Sequence, residues 1–323
     1  MTLLIEKPGI LTTLQDLGRS GFRRFGINPG GVMDRTAARI VNILIGNNEN
    51  EAVVEMHFPA PQIVFESNTI FAIGGAEFSA VLDEEPVTNW RPHFGKKGSR
   101  LRFTARTWGN RAYLSITGGF EVKNWLGSSS TNLSARMGGF GGRAFVGNDR
   151  LDTRKMTGLL KGLSCARVAH SLIPAYSSFP TVRIIPGAEF GSLSDDGIRA
   201  LAEETYVISK DSNRMGFRLS GYPITLRDPL EMVSAAVDFG TVQLLPSGQL
   251  IVLMADQQTA GGYPRIAHII GRDLPLLSQL GANDKVAFHL VDIRHAEELA
   301  AELEQELCFL RIGCRFQANQ WME

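Results

Sequence analysis

Ser247-Gly-Gln-Leu-Ile-Val-Leu-Met-Ala-Asp-Gln-Gln-Thr-Ala-Gly-Gly262 reads as a turn, the most apolar strand of the chain at Leu250–Ala255, then a polar loop closing on a glycine pair. Gly109-Asn-Arg-Ala-Tyr-Leu-Ser-Ile-Thr-Gly-Gly119 repeats that outline of turn, strand and double glycine. A second echo joins Gly98-Ser-Arg-Leu-Arg-Phe103 to Ala282-Asn-Asp-Lys-Val-Ala-Phe288. The echoes occur in opposite order in the two halves, which weakens a simple tandem alignment, but the echoes themselves favour two related β-rich units over one composite sheet.

Outward from these strands the texture is the same. Thirty-four glycines separate short runs of Val, Ile, Leu and Phe, so strands are predicted at Gln62–Phe65, Thr69–Gly74, Leu101–Thr104, Arg111–Ile116, Val182–Ile185, Thr205–Ile208, Gly240–Leu244, Leu250–Ala255 and Val286–Val291. Helices are few. One begins behind Asp34, whose carboxylate can cap it, and stops at Gly46-Asn47. Shorter ones fit Leu274–Leu280 and Ile293–Leu307. The aperiodic stretch His170-Ser-Leu-Ile-Pro-Ala-Tyr-Ser-Ser-Phe-Pro180 predicts a boundary, giving domains at 1–175 and 176–323.

Lys+Arg and Asp+Glu both number 33, so no net field favours nucleic acid or an anionic membrane. No apolar run approaches the ~20 residues of a spanning helix, and the first sixteen residues do not read as a signal peptide. Cys165, Cys308 and Cys314 show no metal or disulfide spacing, and the six histidines are scattered. The expectation is a soluble cytoplasmic protein without a metal site. Phosphate-loop, kinase, nucleophile-elbow and HExxH patterns are missing, as is a Met-Lys-Met biotin segment.

Three clusters can carry chemistry. In Thr12–Gly21 and Gly26–Asp34, glycines bring backbone N–H groups close to a ligand; Gln15, Asp16 and Arg19 can orient a carboxylate, amide or phosphate, or Asp16 and Arg19 simply steady the turn. Asp34 either serves the same site or only caps its helix. In Ser212–Arg218, Arg214 and Arg218 can converge on one anion or pair with Asp211 or Asp228. The densest cluster is Ala255–Pro264, where a core strand delivers Asp256, Gln257, Thr259, Gly261, Gly262 and Tyr263 into a turn, an expensive placement for polar groups unless they are used or hydrogen-bonded. Asp256, Arg214 and Tyr263 are the candidate catalytic residues, and Gln243 joins the candidate substrate-binding set. His268 lies five residues beyond Tyr263.

The motifs TTLQDLGRSGFRRFGINPGGVMDRTAARIVNILIGN, GGAEFSAVLD, LGSSSTNLSARMGGFGGRAFVGNDRL, SNRMGFRL, FGTVQLLPSGQLIVLMADQQTAGGYPRIAHII and DLPLLSQLGANDKVAF together resemble the family of allophanate hydrolase subunit 2 and the C component of 5-oxoprolinase. That family also takes in KipA proteins and part of the carboxyltransferase region of urea carboxylase. The resemblance spans about residues 3–293 and implies a mainly β fold of two cyclophilin-like β-barrel domains with a few short helices. It implies work with a KipI-like B component and an A component of 5-oxoprolinase, using ATP with magnesium in the complex, to open the cyclic amide 5-oxoproline to L-glutamate. The B and C components would phosphorylate the lactam oxygen, since an amide is a poor electrophile until that oxygen is activated. An alternative is the carboxyltransferase component of a biotin-dependent urea or amide carboxylase, with biotin carried by another chain; another is a KipA-like regulatory binding protein. The family's Thr-Thr-Gly-Gly-Tyr is here Thr259-Ala-Gly-Gly-Tyr263, its Gly-Ala-Met-Asp is Gly31-Val-Met-Asp34, and its Pro-Gly-Pro-Glu is Pro186-Gly-Ala-Glu189.

Overall fold

The computed structural model describes residues 2–154 and 166–319, so Cys165 lies outside the described residues. The chain divides into two compact units. One comprises the residues up to Arg19, Asp34–Pro174 and the stretch from Glu304; the other comprises Ser20–Met33 and Ala175–Leu303.

The first unit contains β1 (Thr2–Lys7), β2 (Thr12–Gln15), β3 (Val53–Met56), β4 (Gln62–Phe65), β5 (Thr69–Glu77), β6 (Ala80–Leu82), β7 (Glu85–Pro86), β8 (Pro92–Gly95), β9 (Arg100–Phe103), β10 (Trp108–Ile116) and β11 (Asp149–Asp152). They form a six-stranded sheet ordered β11-β1-β4-β9-β6-β7 and a five-stranded sheet ordered β2-β3-β10-β5-β8. Period-two alternation turns Leu3, Ile5, Ile63, Phe65 and Leu101 of the first sheet, with Leu14, Val54, Met56, Ile73 and Leu114 of the second, into one core. The five-stranded sheet is covered on its other face too, where α1 (Arg35–Leu44) packs on β5 and β10. Asp34 caps α1, its carboxylate accepting from the Ala37 N–H at 2.9 Å. Gly75 permits the bulge at which β5 and β10 change register: its φ is +82°, and a Cβ there would lie 2.5 Å from the Arg111 carbonyl oxygen.

The second unit contains β12 (Thr181–Pro186), β13 (Thr205–Ile208), β14 (Gly216–Ser220), β15 (Ala235–Ala236), β16 (Thr241–Leu244), β17 (Leu250–Leu253), β18 (Ala260–Gly261), β19 (Arg265–Ile269) and β20 (Lys285–Leu290). Seven of these close a barrel in the order β12-β19-β16-β17-β14-β13-β20, sealed by a parallel β12–β20 pair, and β15 pairs with β18 beside it. Val182, Ile184, Phe217, Leu219, Val242, Val252 and Phe288 fill the interior. The mainly β architecture expected from the sequence is observed. Two helices differ from expectation. The sequence reading passed over α2 (Asp195–Glu203), which is short and contains Gly197, although Ser194 caps it by accepting from the Gly197 N–H at 2.9 Å. After α3 (Leu274–Ser278), α4 (Ile293–Asn319) continues well past Leu307 because Leu303, Leu307 and Cys314 keep one buried stripe. Among the described residues no helix is long and apolar enough to cross a membrane.

Candidate functional site

In the first unit the candidate residues gather where β2 ends. Asp16 is buried and its carboxylate organises the serine loop that follows Gly127: Oδ1 accepts from Ser128 Oγ at 2.7 Å, Ser130 Oγ at 2.6 Å and the Gly18 N–H at 2.8 Å, and Oδ2 accepts from the Ser129 N–H at 2.6 Å. With four donors on it, this carboxylate is a loop anchor. Arg19 donates through Nη2 to the Ser130 carbonyl at 2.5 Å and lies over the Trp125 ring, 4.7 Å from its centroid. Gln15 is only 1% exposed; its Nε2 donates to Thr13 Oγ1 at 3.1 Å and to the Thr131 carbonyl at 3.2 Å. Gly138 and Gly139 press against the same loop, with φ +70° and +52°; a Cβ on Gly138 would lie 2.2 Å from the Ser130 oxygen, so glycine alone fits there.

Beside Gln15 the structure adds residues the sequence reading missed. Thr13, Glu55 and Tyr113 are cross-strand neighbours on β2, β3 and β10, and Arg111 lies two residues along from Tyr113. All four are buried, as is Asp34, whose backbone N–H donates to the Tyr113 hydroxyl at 2.9 Å. Burial, reinforced by Glu55 and Asp34, pushes the Tyr113 phenol well above its ordinary pKa, so it keeps its proton. A buried polar row of this kind can bind and orient a polar ligand. The available signal was Glu55, a charge inside the apolar run Ala52–Met56; the register that brings Tyr113 beside it is non-local.

In the second unit Arg214 and Asp256 form a forked ion pair. Nε–H donates to Oδ2 at 2.8 Å and Nη2–H to Oδ1 at 3.1 Å, and Nη2 also reaches the Gly31 carbonyl at 2.5 Å. The backbone closes the arrangement: the Asp256 N–H donates to the Arg214 carbonyl at 2.8 Å and Asn28 Nδ2 to the Asp256 carbonyl at 3.0 Å. These two residues therefore hold the glycine-rich arm and the loop after β17 together. Arg218 is placed differently from Arg214. It is exposed on β14 while Arg214 is buried on Asp256, because successive strand positions turn Phe217 and Leu219 into the barrel and Arg218 out of it.

The rest of the Ala255–Pro264 loop is partly structural. Buried Gln257 donates to the Ala255 carbonyl at 2.9 Å and the Met254 carbonyl and accepts from the Phe239 N–H at 3.2 Å, the orientation its surroundings require. Thr259 accepts from the Val237 N–H at 3.3 Å through its carbonyl, and Gly261 lies in β18, where a Cβ would meet Gln243 Nε2 at 2.7 Å. Gln243 in turn donates to the Tyr263 carbonyl at 3.3 Å. Gly262 and Tyr263 line an open groove of about 620 Å³ with Leu226, Leu230, Leu245 and Pro264. His268 is half-buried, 3.2 Å from Thr241 Oγ1; burial and then Arg265 hold its pKa below the usual value. Among the described residues no group of three or more His, Cys, Asp and Glu side chains is placed to hold a metal ion.

Comparison with known proteins gives a consistent result. The family model "Carboxyltransferase domain, subdomain A and B" matches residues 25–290. Over 321 residues the chain is 35% identical to the 5-oxoprolinase C subunit of Escherichia coli, covering 97% of this chain and 98% of that one. Identity is also 35% to the 5-oxoprolinase C subunit of Haemophilus influenzae over 292 residues, 90% of this chain and 92% of the relative. The crystal structure of Kluyveromyces lactis urea carboxylase superposes with a TM-score of 0.89 at 25% identity, over 96% of this chain and 29% of that one. With the family pattern met from residue 25 to residue 290, the chain belongs to the carboxyltransferase-domain family, subdomains A and B.

Proposed function

We propose that this chain is the C component of an ATP-dependent 5-oxoprolinase of the cytoplasm, acting with the B component on the lactam and with the A component in ring opening to L-glutamate. The observation that carries this reading is the sequence likeness to 5-oxoprolinase C subunits, 35% identity over 321 residues to one and over 292 residues to another. ATP with magnesium, assigned to the assembled complex, supplies the phosphoryl group that activates the lactam oxygen. This chain's share is to hold the amide in the buried polar row of its first unit, with the Arg19 guanidinium offsetting negative charge. The Arg214–Asp256 pair positions the loop that carries Tyr263.

The test is phosphate release from ATP, with and without 5-oxoproline, for the chain alone, with the B component, and with both partners. Turnover that needs both the partners and 5-oxoproline is expected. A complex that forms yet releases no 5-oxoproline-dependent phosphate would overturn the reading. It would shift the role to biotin-dependent carboxyl transfer on urea or a related amide, which the likeness to urea carboxylase favours as the second reading.

A further inference from the structure

The Gln15 side chain is held in one orientation. Both hydrogens of its amide are committed, one to Thr13 Oγ1 and one to the Thr131 carbonyl, and rotating the amide by half a turn would set its oxygen against that carbonyl. Its Oε1 is buried and has no hydrogen-bond partner among the described residues. A buried acceptor left in this way is costly, so a fixed one marks a place where a donor is meant to arrive. It stands at the edge of the polar row formed by Thr13, Glu55 and Tyr113, and Arg19 holds the carbonyl next to the one that fixes Gln15.

We propose that Gln15 reads the N–H of the substrate: Oε1 accepts a hydrogen bond from a small carboxamide, lactam or urea, and selects it over an isostere without that hydrogen. This rests on the reading of the chain as a handler of small amides and assigns the residue that recognises the amide nitrogen. A carboxamide nitrogen is a donor only, whereas the ring oxygen of a lactone would face Oε1 lone pair to lone pair.

The experiment compares binding of 5-oxoproline, of its lactone analogue 5-oxotetrahydrofuran-2-carboxylate, and of urea to the full chain assembled with its partners, by calorimetry. Wild type should prefer lactam to lactone by about tenfold, the size expected for one buried hydrogen bond. In Gln15→Met the preference should fall to about twofold or less, as lactam affinity is lost and the repulsion between Oε1 and the lactone ring oxygen is relieved. Should that variant not fold, Thr13→Val, which releases one tether of the amide, must lower the preference in the same direction. A preference unchanged in a folded Gln15→Met protein overturns the proposal while leaving the oxoprolinase reading intact. Binding of urea but not 5-oxoproline, abolished by Gln15→Met, sinks the oxoprolinase reading and keeps Gln15 in its role. Binding of none of the three overturns both.

Discussion

Asp34 is a buried carboxylate and Asp256 a half-buried one, and their surroundings give them different work. Asp34 accepts from the first turn of α1, so Asp34→Ala should cost about 1 kcal/mol of stability in urea unfolding, and Asp34→Asn almost none. If activity falls in the asparagine variant while stability holds, the charge itself serves the ligand. Asp256 is tied to Arg214 by two hydrogen bonds with little solvent around either group. Arg214→Ala strands that carboxylate and should destabilise the protein by about 3 kcal/mol. Replacing both residues with apolar ones of similar volume should recover most of the loss. A double-mutant cycle measures the coupling, and strictly additive losses would contradict the tie.

At the scale of elements, α4 shows how a surface helix is fastened. Arg39 of α1 donates to Glu49 at 2.7 Å and makes a two-pronged contact with Glu304 at 2.5 and 2.7 Å, and Arg311 also pairs with Glu49. The hydrogen bond from Arg39 holds the Glu304 carboxyl below its ordinary pKa of 4.5. A carboxyl lowered in the folded state contributes above its unfolded pKa and loses that contribution as pH falls through the folded value. Hydrogen exchange of residues 304–317, corrected for intrinsic rates, should therefore accelerate on acidification below about pH 4.5, and Arg39→Leu should remove most of this pH dependence. Much of this level was legible in the sequence. Gln62–Phe65 and Thr205–Ile208 occupy the predicted positions because alternation and flanking turns are local signals. Leu250–Ala255 ends two residues early, since Met254 and Asp256 leave the ladder to bond with the Met215 and Arg214 carbonyls. The glycine echo is partial: Gly118 and Gly119 have positive φ, while Gly261 is spent on a short ladder with β15. The end of α4 was obscured by Gly313 and by exposed Phe309 and Phe316, which blur the amphipathic pattern. Least legible was the polar row, because Glu55 and Tyr113 are 58 positions apart and only pairing register unites them.

For the whole molecule, each unit has its own apolar interior. Leu114→Ala in the first and Leu219→Ala in the second should each cost about 2–5 kcal/mol. Their effects should add within about 0.5 kcal/mol in the double variant, and a larger departure would mean that the two interiors are coupled. The first unit is also discontinuous: its helix α1 is clamped through Arg39 to Glu304, 265 positions later. While the ribosome is still making the barrel, that arginine has no carboxylate at position 304 to meet, and the inner stripe of α4 does not yet exist. A segment synthesised before the barrel is thus finished only after it, so the nascent protein must keep a partly built unit from aggregating until its closing segment leaves the exit tunnel.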